Sequence, residues 1–332
     1  MALDRLGRPL RDLRVSVTDR CNFRCRYCMP REEFGKGYDF LPKTEILTYE
    51  EIHNFVKACK PLGLRKVRIT GGEPLLRQDI HHLVRQLSSM EMEVAITTNG
   101  SLLEKNARNL AESGLSRVTI SLDAIDQEVH SKITDSKVPV TDILAGISAA
   151  IRYELGPVKV NCVVQRGVNE HQIPKLVRKF RGSGVIVRFI EFMDVGSTNG
   201  WTQGQVVPTS EIIDFLSSEF DLTPLARKSA SDVASRWAHS DGSGEIGFIS
   251  SVSQPFCGDC VRARLSSNGK FFTCLFTTMG HDMSTLIKSG GETEQLTQSI
   301  EEVWSARKDR YSEERSSGAI SLPRVEMSYI GG

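Results

Sequence analysis

Apolar residues fall along this chain in two alternating rhythms. Short runs rich in Val and Ile occupy 13–18, 66–70, 93–98, 117–122, 158–164 and 185–192, and predict strands. Between most of them apolar positions recur every three or four residues. That spacing predicts helices over 49–61, 80–89, 102–113, 140–154 and 172–181, with 169–171 as the loop and helix start before the last. Strand, helix and strand in right-handed succession build a parallel sheet that curls towards a barrel. Six such units are fewer than a closed barrel holds. The expected fold class is therefore α/β, an incomplete (β/α)6 TIM-like barrel open on one side. In such sheets the chemistry lies beyond the C-terminal ends of the strands.

After about residue 195 the rhythm changes. Segments 196–200 and 242–244 have loop composition, short strands are predicted at 245–250, 262–266 and 270–276, and Ser267-Asn268-Gly269 is a hairpin turn. Helical patterns follow at 281–288 and 292–306. The expected division is a partial barrel over 1–195 and a C-terminal α+β region over 196–332 that covers the open side.

Composition narrows the partners. Hydrophobic residues at 39% allow a sizeable core, and a net charge of +1 gives no global argument for a nucleic-acid or membrane partner. An anion site must then come from local clustering of basic side chains. No apolar run is long enough to span a bilayer, and residues 1–7 lack the apolar core of a signal peptide, so a cytoplasmic location is expected. Eight cysteines in a reducing compartment are expected to serve as ligands rather than disulfides.

Their spacing gives the chemistry. Cys21, Cys25 and Cys28 follow the first predicted strand and supply three thiolates on one tight loop. A structural zinc or an ordinary cluster needs a fourth ligand. Three thiolates around a 4Fe–4S cluster leave one iron open to a cofactor. Cys257, Cys260 and Cys274 form a second triad. Alone, this spacing fits a zinc ribbon completed by His281 or His239. Beside the first triad it points to a second cluster with an open iron. Cys59 and Cys162 sit in a helix and a strand pattern and are expected in the core. His53, His81, His82, His130 and His171 lack ligand spacing and are expected on the surface or in the core.

Gly71 and Gly72, without Cβ atoms, let backbone approach a ligand closely, although a lone glycine pair is more often an ordinary strand-end turn. Arg14, Arg68, Lys159, Arg262 and Arg264 lie in or beside strands, and Arg262 and Arg264 share a face. Charges inside strands need a partner. For any one of them a surface ion pair is as good an account as a ligand. Converging on an open barrel face, they favour a bound polyanion, to which arginine's planar fork is suited.

The first triad with Tyr27 resembles the CxxxCxΦC signature of radical S-adenosylmethionine (SAM) enzymes, and Thr70-Gly71-Gly72-Glu73-Pro74 resembles their glycine-rich SAM loop. Further segments narrow the resemblance to the GTP 3′,8-cyclase family of molybdenum cofactor synthesis. They are Asp19-Arg20-Cys21-Asn22, Thr97-Thr98-Asn99-Gly100, Ser121-Leu122-Asp123, 257–264 and the terminal Gly331-Gly332. It runs from about residue 10 to the end. It implies a cyclising lyase with two 4Fe–4S clusters and SAM as cofactors and GTP as substrate. A 5′-deoxyadenosyl radical would take the ribose 3′ hydrogen, and the carbon radical would attack guanine carbon 8, giving 3′,8-cyclo-7,8-dihydro-GTP.

The resemblance also implies roles. Cys21, Cys25 and Cys28 would hold the SAM cluster, and Cys257, Cys260 and Cys274 a cluster that binds guanine. Tyr27, Gly72, Glu73, Ser121 and Met193 would contact SAM. Arg14, Arg68, Thr97, Lys159, Arg262, the Ala263 backbone and Arg264 would bind GTP. Gly331 and Gly332 would reach into the site, positioning an arginine; a residue appended after Gly332 is expected to disturb cyclisation. Implied partners are an external one-electron donor of flavodoxin type and a downstream cyclic pyranopterin monophosphate synthase, with homodimerisation open. Two other readings compete. A peptide-modifying radical SAM enzyme would share the first triad and glycine loop but not need the arginine pair. An electron carrier would fill its cluster coordination.

Overall fold

A computed structural model describes residues 1–229, 231–290, 293–315 and 324–331. Strands β1 (Asp12–Ser16), β2 (Lys66–Thr70), β3 (Glu93–Thr98), β4 (Arg117–Ser121), β5 (Lys159–Val164) and β6 (Ile186–Glu191) pair in parallel, in sequence order. Helices α1 (Tyr49–Cys59), α2 (Ile80–Ser88), α3 (Leu103–Glu112), α4 (Gln127–Thr134), α5 (Val140–Arg152) and α6 (Ile173–Phe180) connect them, α4 and α5 both between β4 and β5. The strand alternation explains the layering. In β2, Val67 and Ile69 are fully buried beneath the helices, while Arg68 between them takes the other face. The helices bury their apolar stripes outside the sheet. Helix α1, for example, buries Ile52, Phe55, Val56 and Cys59 and begins in a capping box between Thr48 and Glu51.

The C-terminal region contributes α7 (Thr209–Ser217), β7 (Leu222–Leu225), β8 (Ser235–His239), β9 (Glu245–Ile249), β10 (Arg262–Leu265), β11 (Lys270–Phe272), β12 (His281–Asp282), α8 (Ser284–Lys288), α9 (Thr293–Ser305), α10 (Tyr311–Glu314) and α11 (Met327–Ile330). It joins the barrel through its edges. One 12-stranded sheet runs β12-β11-β10-β1-β2-β3-β4-β5-β6-β9-β8-β7, with β10 parallel to β1 and β9 parallel to β6. The two metal-ligand loops therefore come from neighbouring strands, although far apart in sequence.

The first six strands stand within two residues of their predicted positions. Six elements were not expected: α4, α7, α10, α11, β7 and β8. Segment 281–288 divides, because His281-Asp282 pairs with β11 and the Asp282 carboxylate accepts from Ser284 N (2.9 Å), so the helix starts at Ser284. The start of the helix expected over 292–306 lies outside the described residues. No described helix is long and apolar enough to cross a membrane.

Candidate active site

One cavity of about 670 Å³ is lined by both cysteine triads, with Cys21, Cys25 and Cys28 and with Cys257, Cys260 and Cys274. The first loop leaves β1 at its C-terminal end. It closes on itself through Cys28 N and Met29 N, which donate to Cys25 O at 3.0 and 2.8 Å. Arg24 donates to Cys21 O (2.7 Å) and Phe34 O (2.8 Å), and the loop backbone leans on the end of α4 through Arg24 N to Thr134 O (2.8 Å). Desolvation, then Glu73, pushes the Cys21 thiol up to about 11. Desolvation and the neighbouring thiols push Cys25 up as well.

Beside this loop, Gly72 N donates to Thr18 O (2.7 Å), and a Cβ on Gly72 would collide with Arg20 O. This close approach requires glycine, and Gly72 lines the cavity. Glu73 is buried beside the cavity and is not among its described lining residues. Its carboxylate accepts from Thr98 Oγ1 (2.7 Å), Asn99 N (2.7 Å) and Leu75 N (2.9 Å), and burial pushes it up to about 7. It braces the glycine loop against β3. Tyr27, Ser121 and Met193 line the cavity, and the Tyr27 hydroxyl donates to Asp123 (2.7 Å), a carboxyl raised to about 6 by burial.

The opposite wall is basic. Arg14 is in register with Arg264 on one side and Arg68 on the other, so three guanidiniums stand in a row across β10, β1 and β2. Arg68 donates to Thr97 Oγ1 (3.2 Å) and Thr119 Oγ1 (3.3 Å). Lys159 is in register with Thr119. Desolvation, then Arg264, Arg262 and Arg68, lowers Arg14, and its Nε is buried with no hydrogen-bond partner among the described residues. Desolvation, then Arg262, brings Arg264 to about 10. Ala263 is buried in the β10–β1 pairing, so only its backbone can serve a ligand. Sequence reasoning missed Lys66, Arg117 and Arg188, which also line the cavity. Arg188 donates to Asn161 Oδ1 (2.9 Å) and is lowered to about 9 by desolvation, then Arg68 and Arg117. The signal was available: each is a cation inside a strand pattern, as Arg68 and Lys159 are.

The second triad sits at the end of this wall. Against the upward push of burial, Arg262 and Arg307 bring Cys260 down to about 6. His239 packs edge-on against Phe220 (5.7 Å) in β8, and His281 is exposed in β12. Neither is among the residues described as lining the cavity. Among the described residues, no His, Cys, Asp and Glu side chains group as a single metal ion would need. A cluster instead distributes its thiolates over several irons.

The tail enters the same space. Arg264 donates to Gly331 O, and Gly331 (φ +78°) lies against Thr70, where a side chain would collide. Glu326 accepts from Ser197 N (2.8 Å) and Thr198 Oγ1 (3.1 Å), and Arg324 bonds Asp194 (2.8 Å). Gly332 lies outside the described residues.

A family profile for the radical SAM superfamily matches residues 15–180, and one for molybdenum cofactor synthesis C matches 185–313. The chain is 47% identical to a GTP 3′,8-cyclase of Acidothermus cellulolyticus, covering 99% of this chain and 98% of that one. It is 46% identical, with the same coverage, to a GTP 3′,8-cyclase of Staphylococcus haemolyticus. Among solved structures, Streptococcus suis SuiB bound to S-adenosylmethionine superposes with a TM-score of 0.61 at 16% identity, covering 89% of this chain and 68% of that one. SuiB bound to its precursor peptide SuiA gives 0.61 over 95% of this chain and 67% of that one. At this identity the likeness concerns the fold.

Proposed function

The chain belongs to the GTP 3′,8-cyclase family of radical SAM enzymes, and we propose that its cavity holds SAM at the first triad and GTP between the basic wall and the second triad. The reaction converts GTP to 3′,8-cyclo-7,8-dihydro-GTP, the first step of molybdenum cofactor biosynthesis. The observation that carries the substrate assignment is the row Arg264–Arg14–Arg68, with the buried Arg14 Nε that no atom of the described residues satisfies. Closely packed, desolvated cations call for a polyanion, which a triphosphate supplies.

The residues fit the cofactors. Cys21, Cys25 and Cys28 would hold a 4Fe–4S cluster, and Gly72, with no space for a Cβ against Arg20 O, lets the glycine loop pack on the backbone of the first cysteine loop at the cavity wall. When bound, cluster and SAM supply the one-electron chemistry that generates the hydrogen-abstracting radical. The chain's own work is positioning. Tyr27, locked by Asp123, with Ser121 and Met193 would flank SAM, while Glu73 holds the glycine loop rigid. Arg14, Arg68, Thr97, Lys159, Arg262, the Ala263 backbone and Arg264 would fix the nucleotide, joined by Lys66, Arg117 and Arg188. Arg264, gripped by Gly331 O, would be oriented by the tail.

Finer points belong to the same proposal. Cys257, Cys260 and Cys274 would carry a second 4Fe–4S cluster that binds guanine. The partial barrel would end near residue 195. A flavodoxin-type donor would deliver electrons, a cyclic pyranopterin monophosphate synthase would take the product, and the reaction would run in the cytoplasm. The SuiB likeness raises peptide modification as a rival. A peptide backbone offers a row of guanidiniums only neutral carbonyls and no offsetting charge, and the cavity wall argues against it. Anaerobic assay of 5′-deoxyadenosine with and without GTP tests the reading. Formation is expected to depend on GTP; SAM cleavage indifferent to GTP but stimulated by peptide would overturn it.

A further inference from the structure

The N-terminal segment before β1 folds into a tight loop. Asp4 Oδ1 accepts from Leu6 N and Arg8 N, both at 2.9 Å, and Gly7 N donates to Asp4 O (3.0 Å). The loop buries a charge cluster beside the second triad. Arg8 Nε donates to Asp4 Oδ2 (2.6 Å), and Arg307 Nη1 reaches the same oxygen (3.3 Å). The three side chains are at most 2% exposed. Burying such a cluster is costly unless its geometry does work.

Both guanidiniums also reach the second triad, Arg8 through its free arm and Arg307 through the same Nη1 that meets Asp4. Arg8 Nη1 donates to Cys257 O (2.7 Å) and Asp309 O (2.9 Å), while Arg307 Nη1 donates to Cys260 O (2.7 Å). Asp309 in turn accepts from Thr273 Oγ1 (2.6 Å), the residue before Cys274. Trp304 closes the stack, donating to Arg8 O (3.1 Å) beneath the Arg307 guanidinium (4.5 Å). One buried unit thus touches the backbone of two of the cysteines and a neighbour of the third.

We propose that Asp4, Arg8 and Arg307 form a clamp that positions the second metal centre and places the Arg307 charge beside it. This rests on the reading that Cys257, Cys260 and Cys274 carry a cluster. All three are positioning residues. Outer-sphere partners of metal ligands are typically worth about 10- to 100-fold in metal affinity, and a cation beside a cluster makes its reduction easier.

The test uses full-length chain with Cys21, Cys25 and Cys28 replaced by Ala, reconstituted anaerobically, so that remaining iron reports on the second triad. If this parent holds no cluster, the reading of the second triad fails, whatever the clamp does. If it does, Asp4→Asn and Arg8→Gln should weaken iron retention against a chelator by about 10- to 100-fold. Arg307→Gln should shift the midpoint potential, followed by electron paramagnetic resonance, to more negative values. Arg307→Lys, keeping the charge, should stay near the parent. As a folding control, the same clamp substitutions in a chain with the first triad intact should leave SAM binding unchanged. Unaltered iron retention and potential would overturn the clamp. Parallel loss of SAM binding in all variants would also overturn it, since that assigns these residues to general folding.

Discussion

The two triads present the same ligands in different electrical surroundings. At the first, desolvation raises the thiols, with Glu73 adding to it at Cys21 and the neighbouring thiols, then Asp123, at Cys25. At the second, Arg262 and Arg307 outweigh desolvation and bring Cys260 down to about 6, while desolvation raises Cys274 to about 11. The proposed ligands divide the same way. SAM is a sulfonium cation, stabilised by a neighbourhood of carboxylates; GTP is a polyanion, stabilised by the arginine wall. On the proposed reading, charge would sort the two ligands to opposite ends of one cavity. The first triad, whose surroundings disfavour thiolates, depends on metal to ionise it, because metal binding displaces the protons.

The largest effects should come from breaking one end at a time. Cys25→Ser should reduce 5′-deoxyadenosine formation to background, with GTP still bound, as isothermal titration under anaerobic conditions would report. Cys274→Ser should abolish cyclisation of GTP while SAM binding survives. If Cys274→Ser removed SAM binding too, the two ends would not be separable and the comparison would collapse.

Much of this division was legible in the sequence because it lies in short-range pattern. The Val- and Ile-rich runs gave the parallel strands, and the triads and glycine loop gave the first site. What escaped depended on tertiary pairing. Strands β7 and β8 (LTPL and SRWAH) are mostly half-exposed or exposed, so they lack the apolar run that marks a strand. The joining of β9 and β10 to opposite edges of the barrel is a long-range event with no local signal. Lys66, two residues before Arg68, was visible on the same strand face, but only the register shows that Arg188 shares a face with Lys159. Glu73 shows the converse: its motif was legible, while its role as a brace follows from three hydrogen bonds across the chain.

Thinning the basic wall should give the next largest effect. Replacing one guanidinium removes charge-assisted hydrogen bonds worth about 2 kcal/mol, or roughly 30-fold in affinity. Arg14→Gln and Arg188→Gln are each expected to weaken GTP binding by about that factor and leave SAM binding as it was. Arg188 sharpens the comparison more, since it stands on β6, on the far side of the cavity from Arg14. A variant at Arg188 that bound GTP as tightly as the parent would confine the anion site to β10, β1 and β2.

The smallest effect is a slope with pH. Desolvation, then Arg68, brings Lys66 down to about 7; desolvation, then Arg188, does the same for Lys159. Each ammonium is charged below that value and neutral above it. A bound triphosphate favours the charged form, so above pH 7 each lysine must take up a proton when GTP binds. Linkage then requires GTP affinity to fall as pH rises, by up to about tenfold per unit for each lysine. The nucleotide's terminal phosphate, with a pKa of about 6, gains charge over part of the same range and opposes the trend. The diagnostic is therefore the difference between profiles. Wild type should lose GTP affinity between pH 7 and 8.5 more steeply than Lys159→Gln, with SAM affinity showing no such loss. Superimposable GTP profiles for the two proteins would mean that Lys159 does not meet the phosphates.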